Sequence, residues 1–163
     1  MAQTPPLSAQ DIRSARFDTP ELRDRDFADK LGISEAQLMA AHVGHGVTRI
    51  SADPDKLIPA AEQLGEVMAL TRTPSCVHEK VGHYANYHSG AHASMVLNDE
   101  IDLRIFPRHW VHGFALDQET DKGRRRALLV FDAAGDAVHK IHMRAGSDHD
   151  PWSGVVSDLA LEA

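Results

Sequence analysis

The residues best equipped for chemistry lie between Val67 and Trp110, where His78, His83, His88, His92 and His109 fall inside a stretch that otherwise alternates as strands do, with His112 just beyond. Imidazole is the side chain that most readily offers a neutral nitrogen near pH 7, so this density points to a metal, a metal-bearing cofactor or proton chemistry. If Cys76 to Val81 is a strand, His78 and Lys80 share one of its faces. Along Ile101 to Phe106, Asp102, Arg104 and Phe106 share a face opposite Ile101, Leu103 and Ile105, which leaves Arg104 as the lone cation of that strand. An imidazole for iron, apolar walls for a macrocycle and Arg or Lys for its carboxylates are what a haem pocket needs. Zinc is a less specific reading. His88 and His92 flank Ser89-Gly90, which argues against one helix carrying both, and no H-E-x-x-H occurs. His139 and His142 fall on opposite strand faces and cannot chelate one metal as a pair.

These side chains need elements to position them. The amino-terminal part reads as helical: Thr19-Pro20 starts a helix that Gly32 ends after Leu31, and Ser34-Glu35-Ala36-Gln37 has capping-box spacing for a second. A third begins at Asp53-Pro54, buries Leu57, Ile58, Ala61 and Leu64, and closes at Gly65. Seven short segments follow as an antiparallel meander: Val67–Thr71, Cys76–Val81, Ala93–Leu97, Ile101–Phe106, Trp110–Leu116, Arg126–Phe131 and Ala137–Met143. A last helix runs from Pro151 to Leu161. The fold class is α+β, with helices at both ends flanking a large antiparallel β-sheet, and residues 1–163 read as a single domain.

Phe27 to Ala41 also has the outline of a helix-turn-helix, but Glu35 to Gly44 offers Gln37 and neither Lys nor Arg for base edges or phosphates. A formal charge of −7 disfavours nucleic acid further. The single Cys76 excludes an internal disulfide and a C-x-x-C zinc site. The stretch MAQTPPLSAQDIRSARF has no apolar leader and no eighteen apolar residues run together, so the expected location is cytoplasmic, without membrane insertion.

Together EVMALTR (66–72), VHEKVGHY (77–84), SGAH (89–92), IDLRIF (101–106), His109-Trp110 and FDAAGDAVHK (131–140) resemble one half of the bacterial haem-utilisation proteins of the HemS/HmuS type. ADKLGISEAQL through GVTRI extends the likeness over nearly the whole chain. The resemblance implies haem as cofactor or cargo, carried in an α+β half-unit. It places on Arg104 the arginine that approaches the iron, and on His78 a histidine considered as a ligand. The family's main histidine ligand belongs to a second half, and the corresponding helix here, Thr19 to Leu31, has no histidine. Single-domain relatives of the ChuX/HutX type look like homodimers, so the resemblance also implies a homodimer.

The expected mechanism is reversible axial ligation of ferric haem by neutral His78, with Arg104 opposite and Arg72, Lys80 or Arg108 offered to the propionates. His92 and His109 stand as further haem contacts beside the Gly-containing loop and Trp110. A guanidinium stays protonated and would hold a bound water rather than iron. Haem exchanged with an importer or acceptor protein is the leading reading. Haem breakdown with an external electron donor, or a haem-free partner-binding protein of the same fold, are the alternatives.

Overall fold

The computed structural model describes residues 5–162. The first four residues of the stretch read for a leader lie outside them. Helices α1 (Ala9–Phe17), α2 (Asp24–Leu31) and α3 (Glu35–Ala41) come first, then strand β1 (Val47–Ile50), helix α4 (Pro54–Glu62), strands β2 (Gly65–Arg72) and β3 (Val77–Gly82), β4 (Tyr87–His88), β5 (Ser94–Leu97), β6 (Asp102–Ile105), a 3-10 turn at Pro107–His109, strands β7 (His112–Thr120), β8 (Gly123–Phe131) and β9 (Ala137–Ser147), and helix α5 (Trp152–Leu159).

All strand pairs named here are antiparallel, but they form two sheets rather than one meander. The large one runs β1-β7-β8-β9-β2-β3, and β4-β5-β6 form a small one. In the large sheet β7-β8-β9 are consecutive neighbours, and β2-β3 form a separate hairpin of consecutive strands. The hairpin β2-β3 docks on β9, whose long path gives β2 a partner from Leu70 to Gly65.

Period-2 alternation splits the large sheet between two cores. Val67, Ala69, Ala115, Leu128, Val130 and Ile141 face α4, α5 and the small sheet. Phe114, Leu116, Ala127, Leu129 and Phe131 face α1, α2 and α3. Helices thus cover both faces, and α4 buries the stripe of Leu57, Ile58 and Ala61 that its sequence spacing predicts.

The capping signals of α3 and α4 are realised as read. Ser34 accepts from the Gln37 amide while Gln37 returns a bond to Ser34 N–H, and Asp53 caps α4 with Pro54 at its first position. Gly32 ends α2 in the left-handed conformation. Two expectations change. The helix expected from Thr19 starts only at Asp24, because Arg16 at the end of α1 holds the carbonyls of Thr19 (2.6 Å) and Leu22 (2.9 Å) and the Asp24 carboxylate, fixing residues 19–23 as a turn. The strand expected from Trp110 begins at His112, since the Trp110 amide donates to the Pro107 carbonyl and completes the 3-10 turn.

Candidate functional site

Strand β3 is an edge strand, and its register against β2 decides where His78 goes. His78 lies opposite Thr71 and Lys80 opposite Ala69, so both project from the face that carries Val67 and Ala69, beyond the limit of the core. Both side chains are exposed, and neither has a hydrogen-bond or ion-pair partner among the described residues. Arg72 lies on the opposite face of β2, with Leu70 and, from β3, Glu79.

Arg104 sits on β6 beside Met95 and, through Met95, in line with His88 of β4. Val96, Leu103 and Ile105 turn inward to the core, so Arg104 and Asp102 point out to solvent. Their ion pair, 2.6 Å, is exposed on both sides and contributes little stability. His109 accepts from Arg108 Nε at 3.1 Å in the 3-10 turn, flanked by exposed Phe106 and Val111. His83 is tied to Glu100 (3.3 Å), and His92 lies exposed in the β4–β5 loop. The structure therefore gathers His78 with Lys80 and Arg108 with His109. It places His78 and Arg104 in different sheets, and it sends Arg72 to the other side of the large sheet.

Beneath His78 lies a buried polar node. Thr71, its cross-strand partner, is 3.0 Å from His139 Nδ1, and the Tyr84 hydroxyl bonds to His139 Nε2. Trp110 stacks on the same imidazole at 5.9 Å. Tyr84 is fully buried and His139 is 4% exposed. Burial, helped by nearby His142, pushes the His139 imidazole down to about 4, so it is neutral at pH 7. With the phenol donating to Nε2, Nδ1–H donates to Thr71, and each polar atom is paired. Burial likewise raises the Tyr84 phenol well above its ordinary value.

On the opposite face a cleft of about 1480 Å³ opens between α1–α3 and the floor formed by β2 and β9. Leu70, Arg72, Lys140 and His142 line its floor, and Ile33, Leu38 and Met39 line the helical wall. Two buried carboxylates are neutralised there: Glu35 by Lys140 (2.5 Å), and Asp24 by Arg16 (3.2 Å) and Arg125 (3.1 Å). Burial alone would push the Asp24 carboxyl up, but the two guanidinium groups outweigh it and hold it below its usual value. The sequence reading assigned His142 no role. Its position one face away from His139 was legible in AVHKIHM, but only the docking of α1–α3 shows that this face borders a cavity. Among the described residues no group of three or more His, Cys, Asp or Glu is arranged to hold a metal ion.

Residues 32–159 match the family described as "Haemin-degrading HemS.ChuX domain". The chain is 38% identical over 153 residues to the hemin transport protein HmuS of Yersinia pestis, covering 93% of this chain and 44% of that protein. It superposes with a TM-score of 0.87 on the crystal structure of holo-PhuS, a heme-binding protein from Pseudomonas aeruginosa, at 38% identity over 94% of this chain and 45% of that one. The Escherichia coli O157:H7 heme degrading enzyme ChuS superposes at 0.88, with 29% identity over 96% and 48%. The chain spans about half the length of these relatives.

Proposed function

Because the chain belongs to the family of haemin-degrading HemS/ChuX domains, we propose that it binds haem for haem trafficking, holding the iron reversibly through His78 and releasing it to a protein acceptor. The family match brings the ligand class, and one observation carries the choice of residue. His78 is an exposed imidazole without a partner among the described residues, held on a strand of the large sheet beside Lys80. A porphyrin supplies four of the iron's donors, so one imidazole from the protein completes an axial bond, and the neighbouring ammonium suits a propionate. An exposed ligand favours exchange over permanent retention, as a carrier requires.

Arg104 and His78 project from the same side of the large sheet, one from the small sheet packed over it and the other from its edge. The two axial positions of a planar macrocycle face opposite ways. Arg104 of a second copy would therefore complete the site better than Arg104 of the same chain, which supports a homodimer. The weak Asp102 pair leaves that guanidinium free to turn to haem-bound water. Arg108, His109 and His92 would border the macrocycle.

Ferric haem titration followed at the Soret band tests this reading, with wild type and His78→Ala side by side. Saturable binding is expected, with a changed spectrum and an affinity at least about tenfold weaker in the variant, about 1.4 kcal/mol. Identical spectra would remove His78 as the ligand. No saturable binding by wild type would remove the haem function. Names among the relatives point to degradation as well as transport. Loss of the Soret band with iron release after ascorbate or a reductase is added would favour the enzyme over the carrier.

A further inference from the structure

We infer that Thr71 is the positioning residue for His78: its hydroxyl, anchored on the buried His139, accepts the Nδ1–H of His78 and leaves Nε2 turned outward for the iron. This rests on the haem reading above and assigns to that site a residue that does not itself touch haem. The register of the large sheet sets the three side chains in one row. Thr71 lies opposite His78 across β2 and β3, and the pairings of Ala69 with Ile141 and Leu70 with Lys140 bring His139 of β9 to its other side. Directly opposed residues hold their Cβ atoms about 4.5–5.5 Å apart, which lets a threonine hydroxyl meet the nearer nitrogen of an imidazole. His78 is exposed and unpaired among the described residues, so turning its ring toward Thr71 breaks no existing bond.

The bonds already made decide what Thr71 has left to offer. The Tyr84 phenol donates to His139 Nε2, so His139 carries its proton on Nδ1 and donates it to Thr71 Oγ1 at 3.0 Å. A hydroxyl has two lone pairs and one proton, and this bond uses one lone pair. Among the paired residues on this face of the hairpin, Val67, Ala69 and Gly82 offer no side-chain acceptor and Lys80 is a donor. Thr71 is therefore the acceptor within reach of His78. Its anchor is rigid, since Tyr84 is fully buried and Trp110 stacks on the His139 ring. Half-buried itself, Thr71 stands between this fixed node and solvent. A hydrogen bond to one ring nitrogen fixes the tautomer and the plane of an imidazole, so the other nitrogen presents its lone pair in a single direction. Without that bond an exposed imidazole on an edge strand samples both tautomers and several rotamers, and haem must order it on binding.

Two measurements test the assignment. In the haem-free wild type at pH 8, where an ordinary imidazole is neutral, long-range nitrogen–proton NMR spectra should show His78 as the Nδ1–H tautomer, identified by the signal that His78→Ala removes. Thr71→Val should return it to a mixture of tautomers, and Thr71→Ser, which keeps the hydroxyl, should preserve it. In ferric haem titrations Thr71→Val should weaken binding about tenfold or more and shift the Soret band, while Thr71→Ser matches wild type. Added to His78→Ala, Thr71→Val should change haem binding no further, because the ligand it positions is gone. An equal loss in that background would overturn the positioning role in favour of a purely structural one. An Nε2–H tautomer in wild type, or a Thr71→Val protein with wild-type tautomer and affinity, would overturn the hydrogen bond and leave His78 standing as the ligand. A wild-type haem spectrum in His78→Ala would overturn the ligand assignment and the positioning role with it, whatever the tautomer.

Discussion

The buried node formed by Tyr84, His139 and Thr71 yields a quantitative prediction by double-mutant cycle. Tyr84→Phe removes only the hydroxyl and leaves His139 Nε2 without its donor in a site that water does not reach. An orphaned buried acceptor costs about 1–3 kcal/mol, so about 2 kcal/mol is expected. For a chain of this length that is a fall in thermal midpoint of about 4–8 °C. His139→Leu orphans the Tyr84 hydroxyl and the Thr71 hydroxyl and also loses the Trp110 stack, for a cost at least as large. The double variant is the informative one. Replacing both members of the hydroxyl–imidazole pair by apolar groups removes the orphaned atoms, so the double variant should be no less stable than His139→Leu, giving a coupling of about 2 kcal/mol. The Trp110 contact is absent from both His139 variants and cancels in the cycle. Urea unfolding monitored by circular dichroism measures all four proteins. Additivity within about 0.5 kcal/mol would refute the pairing of Tyr84 with His139.

Two further expectations follow from the same framework. His139 and His142 both titrate in the folded chain near 4 against an ordinary 6.5, so their neutral forms stabilise the fold fully above pH 6.5 and that stability is lost as pH falls toward 4, by up to about 3 kcal/mol for His139. Urea midpoints measured from pH 7.5 to 4.5 should decline with a slope that His139→Leu reduces, and an unchanged slope in that variant would refute the assignment. Gly135 has φ +86°, and a methyl group added there would meet Ser34 Oγ at 2.4 Å, disrupting the cap of α3. Gly135→Ala should cost about 2–3 kcal/mol from left-handed strain and cap loss together, and a loss below about 0.5 kcal/mol would show that the turn relaxes without harm.

Local signals were legible wherever a few neighbouring residues suffice. Ser34 with Gln37, Asp53 with Pro54 and the strand faces of Val77–Gly82 and Asp102–Ile105 all lie as the sequence predicts. What escaped depends on partners distant in the chain. The turn at residues 19–23 is imposed by Arg16, and a Thr-Pro pair that favours a helix start is overridden by that guanidinium. Helix α1 and strand β1 carry too few apolar positions to announce themselves, since one buried residue, Ile12, anchors the former and its other partners belong to α3. The order of the large sheet was equally hidden, because β1 pairs with β7 across some sixty residues of intervening chain, a spacing no local pattern encodes. The site divides in the same way. The facing of His78 and Lys80 was legible, whereas the separation of Arg72 from them becomes meaningful only when α1–α3 cover its face.

Three histidines on two strands of the large sheet, β3 and β9, show how one backbone regularity sorts identical side chains into different chemistry. His78, on the edge strand, keeps water and so keeps exchangeable nitrogens. His139, inward on β9, has both nitrogens spent on Thr71 and Tyr84, which makes it a structural neutral base. His142, three residues further along, turns to the opposite face and meets a cavity in place of a partner. Alternation with period two is all that separates the last two, so register is the controlled quantity. A one-residue slip of β9 would put Lys140 and His142 into the core face and expel His139 and Ile141 into the cleft. That would bury an ammonium away from Glu35 and orphan Tyr84 together, and those two penalties, several kcal/mol in sum, hold each imidazole to its own environment.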